Sequence, residues 1–450
     1  MPASPELRDL CLSDEFNYKL TSIAPPPPPV RFLTPAPDAY NRNHSAIPDL
    51  DPGTHTVSIT GDVASPLRLS VDQLRHEFPQ HEVLSALQCA GNRRHTMRTK
   101  LKEVVGLDWM DGAVMNCTWS GPRLRDVLIK AGVKGYSNDT EMVKDQDRKE
   151  NKETANEKSN TIANGLQNSK NNNNNNNNRN DGSRAANTNN DTAGEAEQAE
   201  MHVHFNCSLL PCEDDSYYGA SIELWRAMEF DREVIIALDM NGKPLLPEYG
   251  YPVRIVVPGV AGARWVKWLD TISVHPHESP SFYQQHDYKI LPPEALTWEI
   301  AEQYWAKVPS MQSMPINSVV AVPNDDETVT LPASGKIEVK GFAVPEGAEG
   351  PVTRVEVSAD GGKTWVDAEL DYGEDGDGNG DSNDMKMKWQ KSKWSWVLWR
   401  AEVEVTRGKN KTIYSRATDA GGNTQQEMSP WNLRGVGYNG YGASWNVSVV

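Results

Sequence analysis

A chain of 450 residues with a formal net charge of −17 and a pI near 5.1 has no broad basic face, which excludes a general nucleic-acid binder and leaves anion binding to a local pocket. No run of about 18 or more apolar residues is present, so no membrane-spanning helix is expected. The five cysteines are odd in number and lack C-x-x-C spacing, which excludes a disulfide framework or zinc ribbon and suggests a reducing compartment.

Residues 1–40 read as an extended arm. The proline run at 25–29 favours polyproline II, suited to a stiff tether or an SH3-type ligand. From residue 41 to about 136 the pattern is mixed. Residues 56–60 alternate as a strand ending at Gly61. Residues 70–78 form a short helix with Ser70 as N-cap and Gln73 closing a capping box, and apolar spacing predicts a second helix over 122–131.

Residues 137–200 are rich in Asn, Asp, Glu and Lys, with consecutive asparagines over 171–178. Such a segment buries too little apolar surface to offset its chain entropy, so a disordered insertion in a surface loop is expected. Ordered sequence resumes near Met201. A strand is predicted at 233–238, a hairpin turn at Asn241-Gly242, and a buried strand at 254–257 that enters a loop spaced by Gly259 and Gly262.

A Pro- and aromatic-rich connector occupies 276–316. Beyond it, strands with a period of two are predicted at 336–340, 352–357, 394–399 and 412–417, separated by glycine turns. That pattern predicts an all-β sandwich like an immunoglobulin fold over 317–450. The acidic, Gly-rich stretch 371–384 reads as a solvated loop or a calcium loop.

The chemistry concentrates at Leu87-Gln88-Cys89-Ala90-Gly91-Asn92-Arg93-Arg94. Cationic neighbours favour a thiolate, which is a nucleophile or a soft metal ligand, and the Gly-Asn turn offers N–H groups to an anion. A buried structural cysteine is the alternative. The basic candidates for an anion pocket are Arg42, Arg93, Arg94, Arg254, Arg264, Lys267 and Arg434.

This run resembles the cysteine motif of the sulfite oxidase family. So do Arg42-Asn43-His44, Gly106-Leu107-Asp108-Trp109, Leu124-Arg125-Asp126-Val127-Leu128, Tyr218-Gly219-Ala220-Ser221 and Met240-Asn241-Gly242. Tyr251-Pro252-Val253-Arg254, Pro258-Gly259-Val260-Ala261-Gly262-Ala263-Arg264, Val266-Lys267-Trp268 and Trp431-Asn432-Leu433-Arg434-Gly435 continue the series in the family's order. The resemblance implies an α+β molybdopterin-binding domain over 41–275, followed by the sandwich as a dimerisation module, and hence a homodimer.

It implies molybdenum on a molybdopterin, with Cys89 as the protein's sulfur ligand, and oxidation of sulfite to sulfate by oxygen-atom transfer from a Mo-oxo centre. Substrate arginines map to Arg42, Arg94 and Arg434, an aromatic wall to Trp109, and a hydrogen-bonding tyrosine to Tyr288. Cofactor contacts map to Asn43, His44, Arg254, Trp265, Val266 and Lys267, with Arg254 and Lys267 toward the pterin phosphate. Tyr249 stands where the family commonly has histidine, and a phenol carries no positive charge at neutral pH.

Arg434 favours sulfite over nitrate, since related nitrate reductases tend to carry methionine there. No haem or flavin domain is expected in this chain, so the acceptor is oxygen or a separate redox protein. The N-terminus has no secretory or mitochondrial signal pattern and the C-terminus no peroxisomal tripeptide. An intracellular, by default cytoplasmic, location follows, with mitochondrial and peroxisomal locations left open. Two other classes remain: a non-catalytic scaffold that keeps the fold, and a cysteine-nucleophile enzyme pairing Cys89 with His95.

Overall fold

A computed structural model describes residues 31–134, 201–373 and 392–450. The proline run, Cys11, the asparagine-rich insertion and most of the acidic loop lie outside the described residues. Among the described residues no helix is long and apolar enough to cross a membrane.

Local chemistry decides the first elements. Strand β1 (Thr56–Gly61) pairs with β2 (Leu67–Ser70), which runs straight into helix α1 (Val71–His76). The predicted capping box is formed there: Ser70 Oγ accepts from the Gln73 N–H at 3.1 Å, and Gln73 Oε1 accepts from the Ser70 N–H at 3.1 Å. β3 (Gln80–Gln88) follows, then α2 (Arg94–Lys100), β4 (Val114–Pro122) and α3 (Leu124–Lys130). β3 and β4 pair along their whole length, Gln80 with Pro122 and Gln88 with Val114. Most of their residues are buried on both faces, so they show no clean alternation, and the sequence reading missed them.

β5 (His202–Cys207) and β6 (Tyr218–Glu223) form a hairpin leading into α4 (Leu224–Met228). The predicted strand at 233–238 shrinks to β7 (Ile235–Ala237), because Glu233 takes a left-handed conformation at φ 53°. β8 (Asp239–Met240) and β9 (Lys243–Pro244) form the predicted hairpin, with Asn241 and Gly242 both at positive φ, 51° and 71°. β10 (Arg254–Val256) and β11 (Thr271–His275) complete this half.

Two sheets organise it, in the orders β2-β1-β11-β5-β6 and β3-β4-β8-β9, with β10-β7 as a separate pair. β1 and β11 run parallel. Between them lies a core containing Ile59, Trp119, Phe205, Ile236, Val256 and Ile272.

The other half is all strand: β12 (Asn317–Val322), β13 (Thr328–Val329), β14 (Lys336–Val344), β15 (Val352–Ser358), β16 (Val366–Asp367), β17 (Glu369–Asp371), β18 (Val397–Glu404), β19 (Gly408–Asp419) and β20 (Gly442–Val449). They form two sheets, β12-β14-β18-β17 and β13-β20-β19-β15-β16. Val339 and Trp399 of one sheet share a core with Val357 and Ile413 of the other. The strand predicted at 394–399 begins only at Val397, because Trp396 points its N–H at the Phe32 carbonyl, 2.9 Å away.

The halves interlock. Ala86 and Val114 pack with Val319, Phe342 and Trp396. Arg93, 1% exposed, reaches across to Asn317 Oδ1 at 2.8 Å and to the carbonyls of Gly440 and Tyr441 at 2.7 and 2.6 Å.

Candidate functional site

Cys89 is the first residue after β3, its N–H bound to the Ala113 carbonyl at 2.9 Å. The turn that follows is closed by Asn92 N–H on the Cys89 carbonyl and Arg94 N–H on the Gly91 carbonyl. Arg93 takes φ 65°, and the two arginines of the motif part company: Arg93 goes to the second half, Arg94 toward the thiol. The thiol is buried. Burial pushes it up, while Arg94, the Gly91 N–H and Arg42 pull it down less strongly. The expectation that nearby cations alone favour a thiolate is therefore corrected: desolvation wins, and a bound metal ion's charge is what would tip the balance.

Arg94 lies in a slot walled by glycine. A Cβ at Gly91 would sit 2.5 Å from its Nη2, one at Gly106 2.6 Å from its Cζ, and one at Gly435 2.7 Å from its Cγ. Arg94 donates to the carbonyls of Arg434 at 2.9 Å and Leu107 at 2.8 Å, and burial, then Arg434, push it down to about 10. Arg434 itself pairs with Asp287 and donates to the Val105 carbonyl at 3.0 Å. Burial works against the Asp287 carboxylate, but Arg434, His44 and Arg94 together hold it below the usual range.

Arg42 donates to Glu213 Oε2 at 2.8 Å. The same oxygen lies 2.9 Å from His44 Nδ1, and His44 Nε2 lies 2.7 Å from the Tyr288 hydroxyl. Tyr218 and Tyr283 flank the imidazole, with ring centroids at 5.5 and 4.3 Å. Tyr288 follows a π-helical turn, Tyr283–Asp287, an insertion common beside functional sites. Buried Arg264 pins that turn through the carbonyls of Met311, Tyr283 and Tyr288. Arg264, a candidate for the anion pocket on sequence, is instead spent on these carbonyls. Asp287 and Glu213 were given no role by the sequence reading, and Glu213 sits in a loop that carries no motif.

A cleft with about 700 Å³ of empty space, solvent at its mouth included, opens beside these groups. Arg42, Asn43, His44, Cys89, Tyr249, Arg254, Trp265, Lys267 and Tyr288 line it. Val266 and Trp109 are buried but are not among its lining residues; Trp109 stands edge-on to Tyr40, centroids 6.1 Å apart. Lys267 Nζ donates to Asn43 Oδ1 and the Glu248 carbonyl, both at 2.7 Å. The Tyr249 hydroxyl is committed to the backbone of the 36–39 turn, 2.7 Å from the Ala39 carbonyl. His95 pairs with Asp108 in an exposed position, 2.9 Å apart, so the Cys89–His95 pairing finds no support.

Arg254 is 1% exposed; among the described residues it donates to the carbonyls of Tyr249 and Trp265, at 2.9 and 3.1 Å, and lies over the Trp119 ring, 5.0 Å from its centroid. Its Nε is buried with no hydrogen-bond partner among the described residues. Burial pushes Arg254 down to about 10, and burial and Arg254 push Lys267 well below its usual value. Among the described residues neither cation has a carboxylate partner. Arg254 is buried and Lys267 half-buried on one cleft wall, and with only Glu248 acting on Lys267 from a distance they call for an anion, since unpaired charge out of water is costly. A pterin phosphate would supply that anion, and the buried Cys89 thiol in the cleft lining suits molybdenum, so the residues fit a molybdopterin.

Comparison with known proteins agrees. The profile of the oxidoreductase molybdopterin binding domain matches residues 44–179 and 181–283, and that of the Mo-co oxidoreductase dimerisation domain matches 308–448. The mitochondrial sulfite oxidase of Homo sapiens is 36% identical over 429 residues, 94% of this chain; the chain spans 63% of that protein's length. The sulfite oxidase of Arabidopsis thaliana is 32% identical over 410 residues, 90% of this chain and 86% of its own. The crystal structure of the sulfane dehydrogenase SoxCD from Paracoccus pantotrophus aligns with a TM-score of 0.60 over 92% of this chain and 81% of its own, at 21% identity, a likeness of fold. The chain belongs to the sulfite oxidase family of molybdopterin oxidoreductases.

Proposed function

We propose that this chain oxidises sulfite to sulfate. Support comes chiefly from one observation: Arg42 and Arg94 both exert their charge on buried Cys89, and Arg434 abuts Arg94. An oxyanion beside the Cys89 sulfur would meet guanidinium forks with fixed geometry. When bound, the molybdopterin supplies the transferable oxygen and accepts two electrons.

The chain's residues take up distinct tasks around it. Cys89 ligates the metal. Arg42, Arg94 and Arg434 bind and orient the oxyanion, Trp109 backs the pocket, and Tyr288 presents its hydroxyl beside it. Asn43, His44, Tyr249, Arg254, Trp265 and Lys267 hold the pterin, with Arg254 and Lys267 on its phosphate and Tyr249 acting through the 36–39 turn. Val266, its side chain in the core, serves only through the backbone between Trp265 and Lys267.

The electron acceptor is oxygen or a redox protein. Residues 41–275 form the catalytic domain, 276–316 a connector, and 317–450 an immunoglobulin-like sandwich that makes a homodimer, in keeping with the dimerisation-domain match. The described cysteines, 89, 117, 207 and 212, are buried free thiols, which supports an intracellular place.

The test is metal analysis together with turnover of sulfite and of nitrate on the same sample, with ferricyanide and a reduced dye as artificial partners. Bound molybdenum and sulfite-dependent ferricyanide reduction are expected. Nitrate turnover alone, or a metal-free protein inert to both, overturns the reading.

A further inference from the structure

Oxidation of sulfite by the oxygen of water releases two protons with the two electrons, and the electrons go to the acceptor. The protons must leave a site where Tyr288 is 7% and His44 9% exposed. We propose that Glu213 completes a relay with His44 and Tyr288 that carries protons out of the cleft, by fixing which nitrogen of His44 bears hydrogen. This rests on the functional reading above.

Hydrogen-bond capacity sets the direction of each bond. The Glu213 carboxylate stays ionised: burial works against it, but His44 and Arg42 hold it down at about 2, so it can only accept. His44 is kept neutral by burial and by Arg42. Nδ1, 2.9 Å from Glu213 Oε2, must then carry the hydrogen, leaving the lone pair on Nε2 to accept from the Tyr288 hydroxyl at 2.7 Å.

When Tyr288 Oη takes up a proton from the cleft, its own O–H proton passes to Nε2, and the imidazolium is stabilised by Glu213. When product leaves and solvent enters the cleft, the Nε2 proton passes to water while Nδ1–H stays on Glu213, which restores the starting tautomer. The logic is that of a carboxylate orienting a histidine base. Arg42 Nη2, 3.2 Å from Nδ1, is the competitor: without Glu213 it can donate to Nδ1 and drive the hydrogen to Nε2, facing Tyr288 with a donor. Glu213 is thus a positioning residue that decides whether His44 is a base or a donor toward the cleft.

The experiment uses oxidised holoenzyme labelled with ¹⁵N-histidine, with a His44→Gln sample to assign the ring. Wild type should show the Nδ1–H tautomer. Glu213→Ala should shift it to Nε2–H and slow sulfite turnover about 10- to 100-fold with bound molybdenum unchanged. Glu213→Asp should restore both in part, a rescue that a packing role would not give. If the alanine variant does not fold, Glu213→Gln serves, and turnover should still fall because the ionised acceptor is gone. An Nε2–H tautomer in wild type, an unchanged tautomer in Glu213→Ala, or full turnover in the folded variant overturns the relay. The tautomer is read without turnover, so Nδ1–H in a protein inert to sulfite refutes the functional reading, whereas sulfite oxidation with Nε2–H refutes the relay.

Discussion

Arg42 and Arg434 each face a carboxylate, Glu213 and Asp287, whereas among the described residues Arg254 and Lys267 meet neutral oxygens and tryptophan rings and form no ion pair. Arg42, Arg254 and Lys267 line the same cleft and Arg434 stands behind it against Arg94, yet the two groups are held differently. The first group is neutralised within the chain, so its geometry is set before any ligand arrives. The second is left with positive charge that a low-dielectric wall makes costly, and an anion is the remedy. On the function proposed above, the paired cations would orient a substrate that comes and goes, and the unpaired ones would retain a cofactor that stays.

Substitutions can break this contrast, the most damaging first. Cys89→Ser should reduce sulfite turnover to background while the pterin stays bound, because the phosphate site is untouched; full activity would remove Cys89 from the metal. Arg254→Met should lower molybdopterin affinity about 10- to 100-fold, read as molybdenum content after dialysis, on the scale of lost supporting contacts in metal sites. Arg434→Met should leave cofactor content intact and raise the sulfite KM about tenfold with kcat little changed, since the lost contact serves ground and transition states alike. Loss of molybdenum in Arg434→Met, or its retention in Arg254→Met, would erase the distinction.

The mildest effect is on stability against pH. Glu213 is held at about 2 in the fold, below its ordinary 4.5. The unfolded chain therefore binds the extra proton first as pH falls, and the contribution is complete above pH 4.5 and lost between 4.5 and 2. It amounts to at most about 3 kcal/mol. Glu213→Gln should flatten that part of the acid-denaturation curve, and an unchanged curve would show that the carboxylate is not held by Arg42 and His44.

What the sequence disclosed follows from how local each signal is. Ser70 and Gln73 announce a cap because their bonds span three residues, and Asn241-Gly242 announces a hairpin because it tolerates two positive φ values. β3 and β4 gave no such sign, being buried on both sides. Cys89, Arg42, Arg94, Tyr288 and Arg434 were singled out on sequence; the fold brings Arg42, Arg94 and Tyr288 near the Cys89 thiol and sets Arg434 behind them against Arg94 and Asp287. Glu213 was not: it follows Pro211-Cys212 in a run that reads as an acidic surface loop, and its partners are Arg42 and His44, far away in the chain. Val266 lay within a motif, but its alternate direction along the backbone sends it into the core instead of the cleft.

Arg93 and Arg94 are adjacent letters of one motif with separate employers. Because Arg93 is fastened to the sandwich by Asn317, Gly440 and Tyr441, loosening of those distant strands tugs on the very turn that presents the sulfur. Heat damage begun far from the chemistry would then register as ligand loss, and an inherited change at Arg93 would mimic an active-site defect while being a failure of mechanical coupling.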